Sequence, residues 1–167
     1  MIDFFPIPFL AGLVILAEIL LILKRRGHSG IYLVLFSVFW LYLMVLAALV
    51  FFIPGTSRAD VLVTPDQILS SVNLMPFDFS HTEVFPNLLL TLPLGFGISF
   101  FIRLRTPQII LFAILTGLGI ETTQLFLNLA LGSNYRYIDI NDAMLNAIGV
   151  LGGYLFLQII RKSRFQY

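Results

Sequence analysis

The stretch GIETTQLFLNLALGSNYRYIDINDAMLNAIGV, residues 119–150, places polar residues inside two apolar runs. Glu121 lies within the first run, and Asp139, Asp142 and Asn146 begin the second. The whole chain is 59% hydrophobic and 11% charged, and its mean hydropathy of +0.97 is too high for an ordinary soluble domain. A charged side chain at the centre of a bilayer costs about 2.5 to 3.5 kcal/mol. The stretch therefore predicts two membrane helices whose polar residues satisfy one another.

Apolar runs of similar length recur along the chain. Each approaches the roughly 20 residues that a helix needs to cross a hydrocarbon core about 30 Å thick. The runs lack the alternation of apolar and polar residues that marks the strands of a membrane barrel. We therefore predict an all-α membrane protein, a single integral domain over residues 1–167 built as a bundle of five transmembrane helices. The predicted spans cover residues 4–23, 31–52, 87–102, 109–131 and 142–160.

The distribution of charge predicts the orientation of the chain. Basic residues follow the first, third and fifth spans: Lys24, Arg25, Arg26, Arg103, Arg105, Arg161, Lys162 and Arg164. The opposite side carries mainly acidic residues: Asp3, Asp60, Asp66, Asp78, Glu83, Asp139 and Asp142, with Arg58 and Arg136 as its bases. The positive-inside rule then predicts the N-terminus outside and the C-terminus in the cytoplasm.

The long outer connection, residues 54–86, contains a helix start of its own. In Thr64-Pro65-Asp66-Gln67, a capping threonine precedes a proline in the first helical position, and a glutamine follows three residues after the cap. Ile68, Leu69 and Val72 then form a short apolar face. Two interpretations are open: a short interfacial helix resting on the outer leaflet, or a lid over a site between the spans.

Polar and small residues form a stripe on each of the last two spans. The fourth span carries Gly117, Glu121, Gln124 and Asn128, and the fifth carries Asp139, Asp142, Asn146, Gly149 and Gly153. Spacings of three and four residues put the members of each stripe on one helix face. We expect the two stripes to pack against each other, with Gly149 and Gly153 allowing a close approach of backbones. The polar part descends from the outer surface to near the midplane.

The third span adds a further wall to this region. Asn87 lies at its outer end, and Pro93 within it removes a backbone donor and predicts a kink. With Gly95 and Gly97, the kink either opens backbone groups toward a cavity near Asn87 or serves packing alone. The buried carboxylate on the fourth span needs a proton or a partner. Candidate partners for Glu121 are Arg136, Gln124 and Asn146.

The residue content limits the chemistry. The chain has no cysteine, which excludes disulfides, thiol catalysis and thiolate metal sites, and its two histidines leave little for an imidazole-based metal centre. Three interpretations of the polar residues remain: a network that joins helices, a binding site open to the outer face, or acid/base or metal-assisted catalysis by Glu121, Asp139 and Asp142. No nucleophile or metal-ligand spacing accompanies these carboxylates. We expect no cofactor, no bound metal and no nucleic-acid partner.

Four short segments resemble the VanZ-like membrane protein family in order and spacing. They are NLMPF at residues 73–77, NLLLTLPLG at 87–95, IETTQ at 120–124 and RYIDINDAMLNAIG at 136–149. The resemblance covers about residues 31–154. It implies a small multi-pass protein of the bacterial cytoplasmic membrane, in a family named for a member associated with resistance to the glycopeptide antibiotic teicoplanin. A family does not fix a function, so the resemblance does not assign antibiotic resistance to this chain.

Residue chemistry and resemblance together suggest a non-enzymatic protein of the cell envelope. Its outward cleft between the third, fourth and fifth spans would bind an amphiphilic ligand, either a lipid-linked cell-wall intermediate or a lipoglycopeptide. The expected ligand-binding residues are Asn87, Glu121, Gln124, Arg136, Asp139, Asp142 and Asn146. The alternatives are a membrane enzyme acting on a lipid-linked substrate and a purely structural polar cluster. Membrane lipids are the other expected partners, and the sequence does not indicate an oligomeric state.

Overall fold

Six α-helices make up most of the described chain. The structure is a computed structural model that describes residues 6–51, 62–79 and 81–164. The helices are α1 (Pro6–Arg25), α2 (Gly30–Phe51), α3 (Pro65–Ser70), α4 (His81–Phe101), α5 (Thr106–Leu131) and α6 (Ile140–Arg164). Within these ranges the chain forms no β-strand, and its only β-type pairings are two isolated bridges, Leu62 with Ser133 and Asn73 with Asp139. The predicted all-α class is confirmed.

Five of the helices are long and apolar enough to cross a membrane, as predicted. Their ends differ from the predicted ends by a few residues, and most at the start of α4. The prediction began this span at residue 87, whereas α4 begins at His81 and continues through Pro86. Pro86 is the sixth residue of α4, just past the first turn in which proline is best tolerated, and the helix continues through it.

Some predicted features lie outside the described residues. They are the predicted span ends at Phe4 and Phe52 and three charges used to orient the chain, Asp3, Arg58 and Asp60. The side chains of Glu83 and Arg164 are likewise outside the description. The orientation across the membrane therefore stays a prediction.

The chain divides into two compact units, Met1–Ile53 and Pro54–Tyr167. In the first unit, α1 packs against α2. The indole Nε1 of Trp40 on α2 donates a hydrogen bond of 3.0 Å to the carbonyl oxygen of Gly12 on α1. Because a helix carbonyl can accept a second hydrogen bond, this contact joins the two helices without disrupting either.

In the second unit, α6 packs against both α4 and α5. Glycine allows each close approach: a Cβ at Gly95 would overlap the Val150 carbonyl, and one at Gly153 would overlap the Leu92 carbonyl. A Cβ at Gly117 on α5 would overlap the Ala143 carbonyl. The prediction that Gly149 and Gly153 face α5 is wrong, since both lie against α4. Both faces of α6 meet small residues, so a small-residue pair does not identify the partner helix.

The predicted start of α3 is confirmed. The hydroxyl of Thr64 accepts from the backbone N–H of Gln67 at 3.4 Å, and the Gln67 side chain accepts from the Thr64 N–H at 2.9 Å. The two bonds form a reciprocal capping box. Ile68 on the apolar face is fully buried within the protein, whereas Leu69 is half exposed. Whether α3 rests on the leaflet or acts as a lid stays a prediction.

We expect Gly153→Ala to destabilise the second unit, because the added methyl group would overlap the backbone of α4. Overpacking of this kind typically lowers the free energy of unfolding by about 1 to 3 kcal/mol. The matched control is Gly152→Ala, where an added Cβ has open space and alanine favours the helix. Thermal unfolding in detergent, followed by circular dichroism, compares the two variants. Equal unfolding midpoints would contradict the proposed contact.

Candidate functional site

Polar side chains from several segments meet at the N-terminal end of α6. We call this set the polar cluster, and it consists of Asn73, Asn87, Glu121, Gln124, Asn128, Arg136, Asp139, Asn141, Asp142 and Asn146. All seven predicted ligand-binding residues belong to this cluster, and they lie on the last three long helices and on the α5–α6 connection. Their use in binding a ligand is a separate question.

Asp139 caps α6. Its Oδ1 accepts hydrogen bonds from the backbone N–H of Asn141 at 2.7 Å and from the Asn141 side chain at 2.8 Å. Its Oδ2 accepts from the Nδ2 of Asn73 at 2.9 Å. The first backbone N–H groups of a helix have no partner within the helix, and a carboxylate in this position satisfies one of them. Asp139 therefore stabilises the start of α6 and also holds the segment before α4.

The segment around Asn73 is fastened to α6 by its backbone as well. The Asn73 N–H donates to the Ile138 carbonyl at 2.9 Å, and its carbonyl accepts from the Ile140 N–H at 3.0 Å. The Asn141 side chain donates to the carbonyl of Met75 at 2.9 Å. This segment is the NLMPF motif of the family resemblance. Its position against α6 gives the motif a physical role.

The stripe on α5 binds the connection between α5 and α6. Glu121 Oε2 accepts the backbone N–H of Asp139 at 3.0 Å. Asn128 accepts the backbone N–H of Arg136 at 3.0 Å and donates to the Arg136 carbonyl at 2.6 Å. Gln124 lies between them on the stripe and is also buried. Glu121 and Asn128, which were predicted to share one face of this helix, thus form hydrogen bonds with the backbone of the connection that follows it.

Helix α4 reaches the same end of α6 through two polar side chains. The Nδ2 of Asn87 donates to the Asp142 carboxylate. The Thr91 hydroxyl lies 2.7 Å from the Asn146 carbonyl oxygen, to which it donates, and 3.2 Å from the Asn87 carbonyl oxygen. Gly95, one turn further on, packs against Val150 instead of opening toward a cavity. In the described structure, polar contacts therefore join α4 and α6 above a tight glycine contact.

Exposure divides the polar cluster into two layers, apart from Asn73, which is half-buried and lies on the segment before α4. A floor of Glu121, Gln124, Asn128, Asp139, Asn141 and Asn146 is at most 8% exposed. A rim of Asn87, Arg136 and Asp142 is half-buried. In the floor, the side-chain oxygens of Asn141 and Asn146 have no hydrogen-bond donor among the described residues. A rim with one guanidinium, one carboxylate and one amide can present donors and acceptors to a polar group that reaches it.

The geometry limits what the carboxylates can do chemically. Both oxygens of Asp139 accept hydrogen bonds from the protein. This carboxylate therefore serves as a helix cap and is poorly placed to take a proton from a substrate. Among the described residues, no group of three or more His, Asp or Glu side chains is arranged to hold a metal ion. The arrangement is well suited to hydrogen bonding at the rim.

Sequence reasoning left several residues out of the candidate site. Asn73, Asn141 and Thr91 make cluster contacts but were not predicted to do so. Asn73 lies in the NLMPF motif, and Asn141 lies between two aspartates, so each carried a local signal. Their partners are 66 residues away in the sequence, which no local pattern reveals. Asn128 was placed on the α5 stripe but not among the binding residues.

Tyr135, in the connection before Arg136, is also buried. Burial raises the pKa of the Tyr135 phenol above its ordinary value of 10.0, and the nearby Arg136 charge opposes the shift. The folded protein therefore disfavours the phenolate at this position.

Comparison with known protein families gives one match. The family model described as VanZ/LLP1 matches residues 39–161, more than half of the chain. No curated protein and no solved structure matches the chain.

We expect Glu121→Ala to lower the free energy of unfolding by about 1 to 3 kcal/mol, because the Asp139 N–H would lose its acceptor in a buried position. Glu121→Gln keeps an acceptor oxygen and should lose less. The control is Thr123→Ala, since this exposed hydroxyl bonds within its own helix to the Gly119 carbonyl. Denaturant titration in detergent measures all three variants. Identical curves for Glu121→Ala and Thr123→Ala would refute the role of Glu121.

The raised pKa of Tyr135 predicts a pH dependence of stability. A group whose pKa is higher in the folded chain contributes stability that is fully present below its unfolded pKa, here 10.0. That contribution is lost as the pH rises through the higher folded value. The unfolding midpoint of the native protein should therefore fall more between pH 8 and pH 11 than that of Tyr135→Phe. A parallel decline of the two proteins would be the contrary result.

Proposed function

Because the chain belongs to the VanZ/LLP1 family, we propose that it is a non-enzymatic multi-pass protein of the bacterial cytoplasmic membrane that binds the polar head of an amphiphilic ligand. The ligand is a lipid-linked cell-wall intermediate or a lipoglycopeptide of the teicoplanin type. The binding groups lie in the polar cluster, in a cleft that faces outward between α4, α5 and α6.

The single observation that carries the proposal is the half-buried rim over a buried polar floor. Arg136, Asp142 and Asn87 retain partial access from outside the protein, whereas the residues beneath them are almost fully enclosed. A guanidinium is suited to phosphate or carboxylate because its N–H groups form a planar fork. The carboxylate and the amide can meet hydroxyl or amine groups of the same ligand head.

Pre-organisation supports binding at the rim. Asn128 fixes the backbone of Arg136 through two hydrogen bonds, and Asn87 fixes the carboxylate of Asp142. Residues that are already held in place lose little conformational entropy when a ligand arrives. The rim can therefore bind a polar head without first ordering a loop.

The outward placement rests on the charge distribution. Lys24 and Arg25 lie in the last turn of α1, Arg103 and Arg105 follow α4, and Arg161 and Lys162 lie near the end of α6. If these groups face the cytoplasm, the start of α6 faces the other side of the membrane. A ligand that is assembled or delivered outside the cell would then have direct access to the rim.

A second candidate function is purely structural, and a specific observation favours it. Asp139, Glu121, Asn128 and Asn141 each join two segments of the second unit by hydrogen bonds. Such a network would be needed to close this end of the helices even without a ligand. The two functions differ at the rim, because only binding requires the Arg136 side chain to meet an external group.

We expect Arg136→Ala to weaken binding of a polyprenyl diphosphate, or of teicoplanin, at least tenfold. The estimate corresponds to about 1.5 to 3 kcal/mol for a hydrogen bond to a charged group. The variant keeps the main-chain bonds from Arg136 to Asn128. Direct binding to the protein in lipid nanodiscs, with each probe in turn, gives the measurement.

The matched control is Arg103→Ala, which removes the same charge from an exposed position after α4, at the opposite end of that helix from Asn87. It should bind as the native protein does. Unfolding midpoints of both variants show whether either change affects folding. Equal affinities for the native protein and Arg136→Ala, or no binding of either probe by the native protein, would leave the structural function in place.

A further inference from the structure

The segment that follows Asn73 exposes large apolar side chains beside the polar cluster. We call residues 74–79 the apolar loop. Leu74 is 72% exposed, Met75 68% and Phe77 74%. Asp78 is the one charged residue of the loop. An apolar patch of this kind on a folded protein marks a surface that meets something other than water.

The apolar loop is held in this exposed arrangement. Asn73 pairs with the backbone on both sides of Asp139, and its side chain accepts the N–H of Met75 at 3.0 Å. Asn141 on α6 holds the carbonyl of Met75. These bonds fix the start of the loop against α6 while the side chains of Leu74 and Met75 stay outside.

Phe77 has a backbone conformation that phenylalanine rarely adopts. Its φ is +69°, in the left-handed region where a side chain is disfavoured. The ring of Phe77 contacts that of Phe79 edge-on, with centroids 6.4 Å apart. The loop thus turns sharply at Phe77 and presents its ring outward instead of covering it with the protein.

The position of the loop along the helices indicates what covers it. The candidate span in α6 begins at Ile140, and Asn141 in its first turn contacts Met75. Three residues lie between Phe77 and His81, the first residue of α4, so the two Cα atoms are at most about 14 Å apart. By length and composition the candidate spans begin at Val84 in α4 and Ile140 in α6, so the loop lies close to the ends at which both helices would enter a membrane.

The apolar face of α3 does not offer a membrane contact of this kind. Ile68, its central residue, is fully buried in the protein, and α3 packs against α5. Among the described residues between α2 and α4, the exposed large apolar side chains are grouped in the loop, whereas Leu62 and Leu69 each stand alone. Its single charge makes electrostatic attraction to a charged protein surface weak, whereas lipid requires only apolar area.

We propose that the apolar loop inserts Leu74, Met75 and Phe77 into the headgroup layer of the membrane, directly beside the polar cluster. The occupant of this surface is lipid, independently of whether the rim binds a ligand. Hydrogen bonds to Asn73 and Asn141 make the loop a fixed membrane contact that sets the depth of the start of α6.

Site-directed spin labelling tests the proposal, because the chain contains no native cysteine. Leu74→Cys and Phe77→Cys each receive a nitroxide label in vesicles of phosphatidylethanolamine and phosphatidylglycerol. Asp66→Cys, at an exposed charged residue in the first turn of α3, is the reference outside the apolar loop. All three positions are exposed, so the substitutions leave the buried residues unchanged. Labels at two positions keep the result decidable if one variant does not fold.

We expect labels at 74 and 77 to collide more often with oxygen, which concentrates in lipid, than with a water-soluble nickel chelate. The ratio of the two collision rates should exceed that at residue 66 severalfold. A ratio equal to that of a water-exposed label would overturn the proposal. Shielding of both labels from both reagents would also overturn it, because that result would mean that protein covers the loop.

Discussion

The hydrogen bonds of Asp139 hold together the part of the second unit where polar residues are concentrated. Its carboxylate caps α6 and accepts from Asn73, while its backbone N–H donates to Glu121 on α5. One residue therefore connects the start of α6 to the segment before α4 and to the middle of α5. At the end of a membrane helix, backbone groups must be satisfied from within the protein wherever water is excluded. The other residues of the polar cluster extend this requirement to the α5–α6 connection.

The close helix packing below Asp139 makes those hydrogen bonds reachable. Gly95 and Gly153 bring α4 against α6, and Gly117 does the same for α5. A larger side chain at any of these positions would separate the helices and lengthen the contacts of the short side chains above them. Asn87 and Asp142 can meet only because the helices approach this closely. The glycines and the polar cluster are thus two parts of one arrangement.

The five long helices and much of the polar cluster were predictable from the sequence, for different reasons. Apolar length determines a membrane span locally, and spacings of three and four residues place Glu121, Gln124 and Asn128 on one face. The contacts of Asn73 and Asn141 were not predictable, because each joins residues 66 positions apart through an irregular segment. The partner of Gly153 was also misjudged, since a small residue allows close packing without specifying which helix approaches. Local sequence patterns identify the polar or small face of a helix, but the folded structure is needed to show which other segment that face contacts.

The division into floor and rim separates the residues that hold the backbone from those that we propose meet a ligand. Floor residues such as Glu121 and Asn128 hold the backbone of the α5–α6 connection, so replacing them should lower the stability of the fold. Arg136 differs because its bonds to Asn128 use main-chain atoms, which remain when the side chain is shortened. The apolar loop is attached to the same end of α6 through Asn141. The membrane contact proposed for the loop and the ligand contact proposed for the rim would therefore lie at one end of α6, and this arrangement favours an amphiphile over a wholly water-soluble ligand.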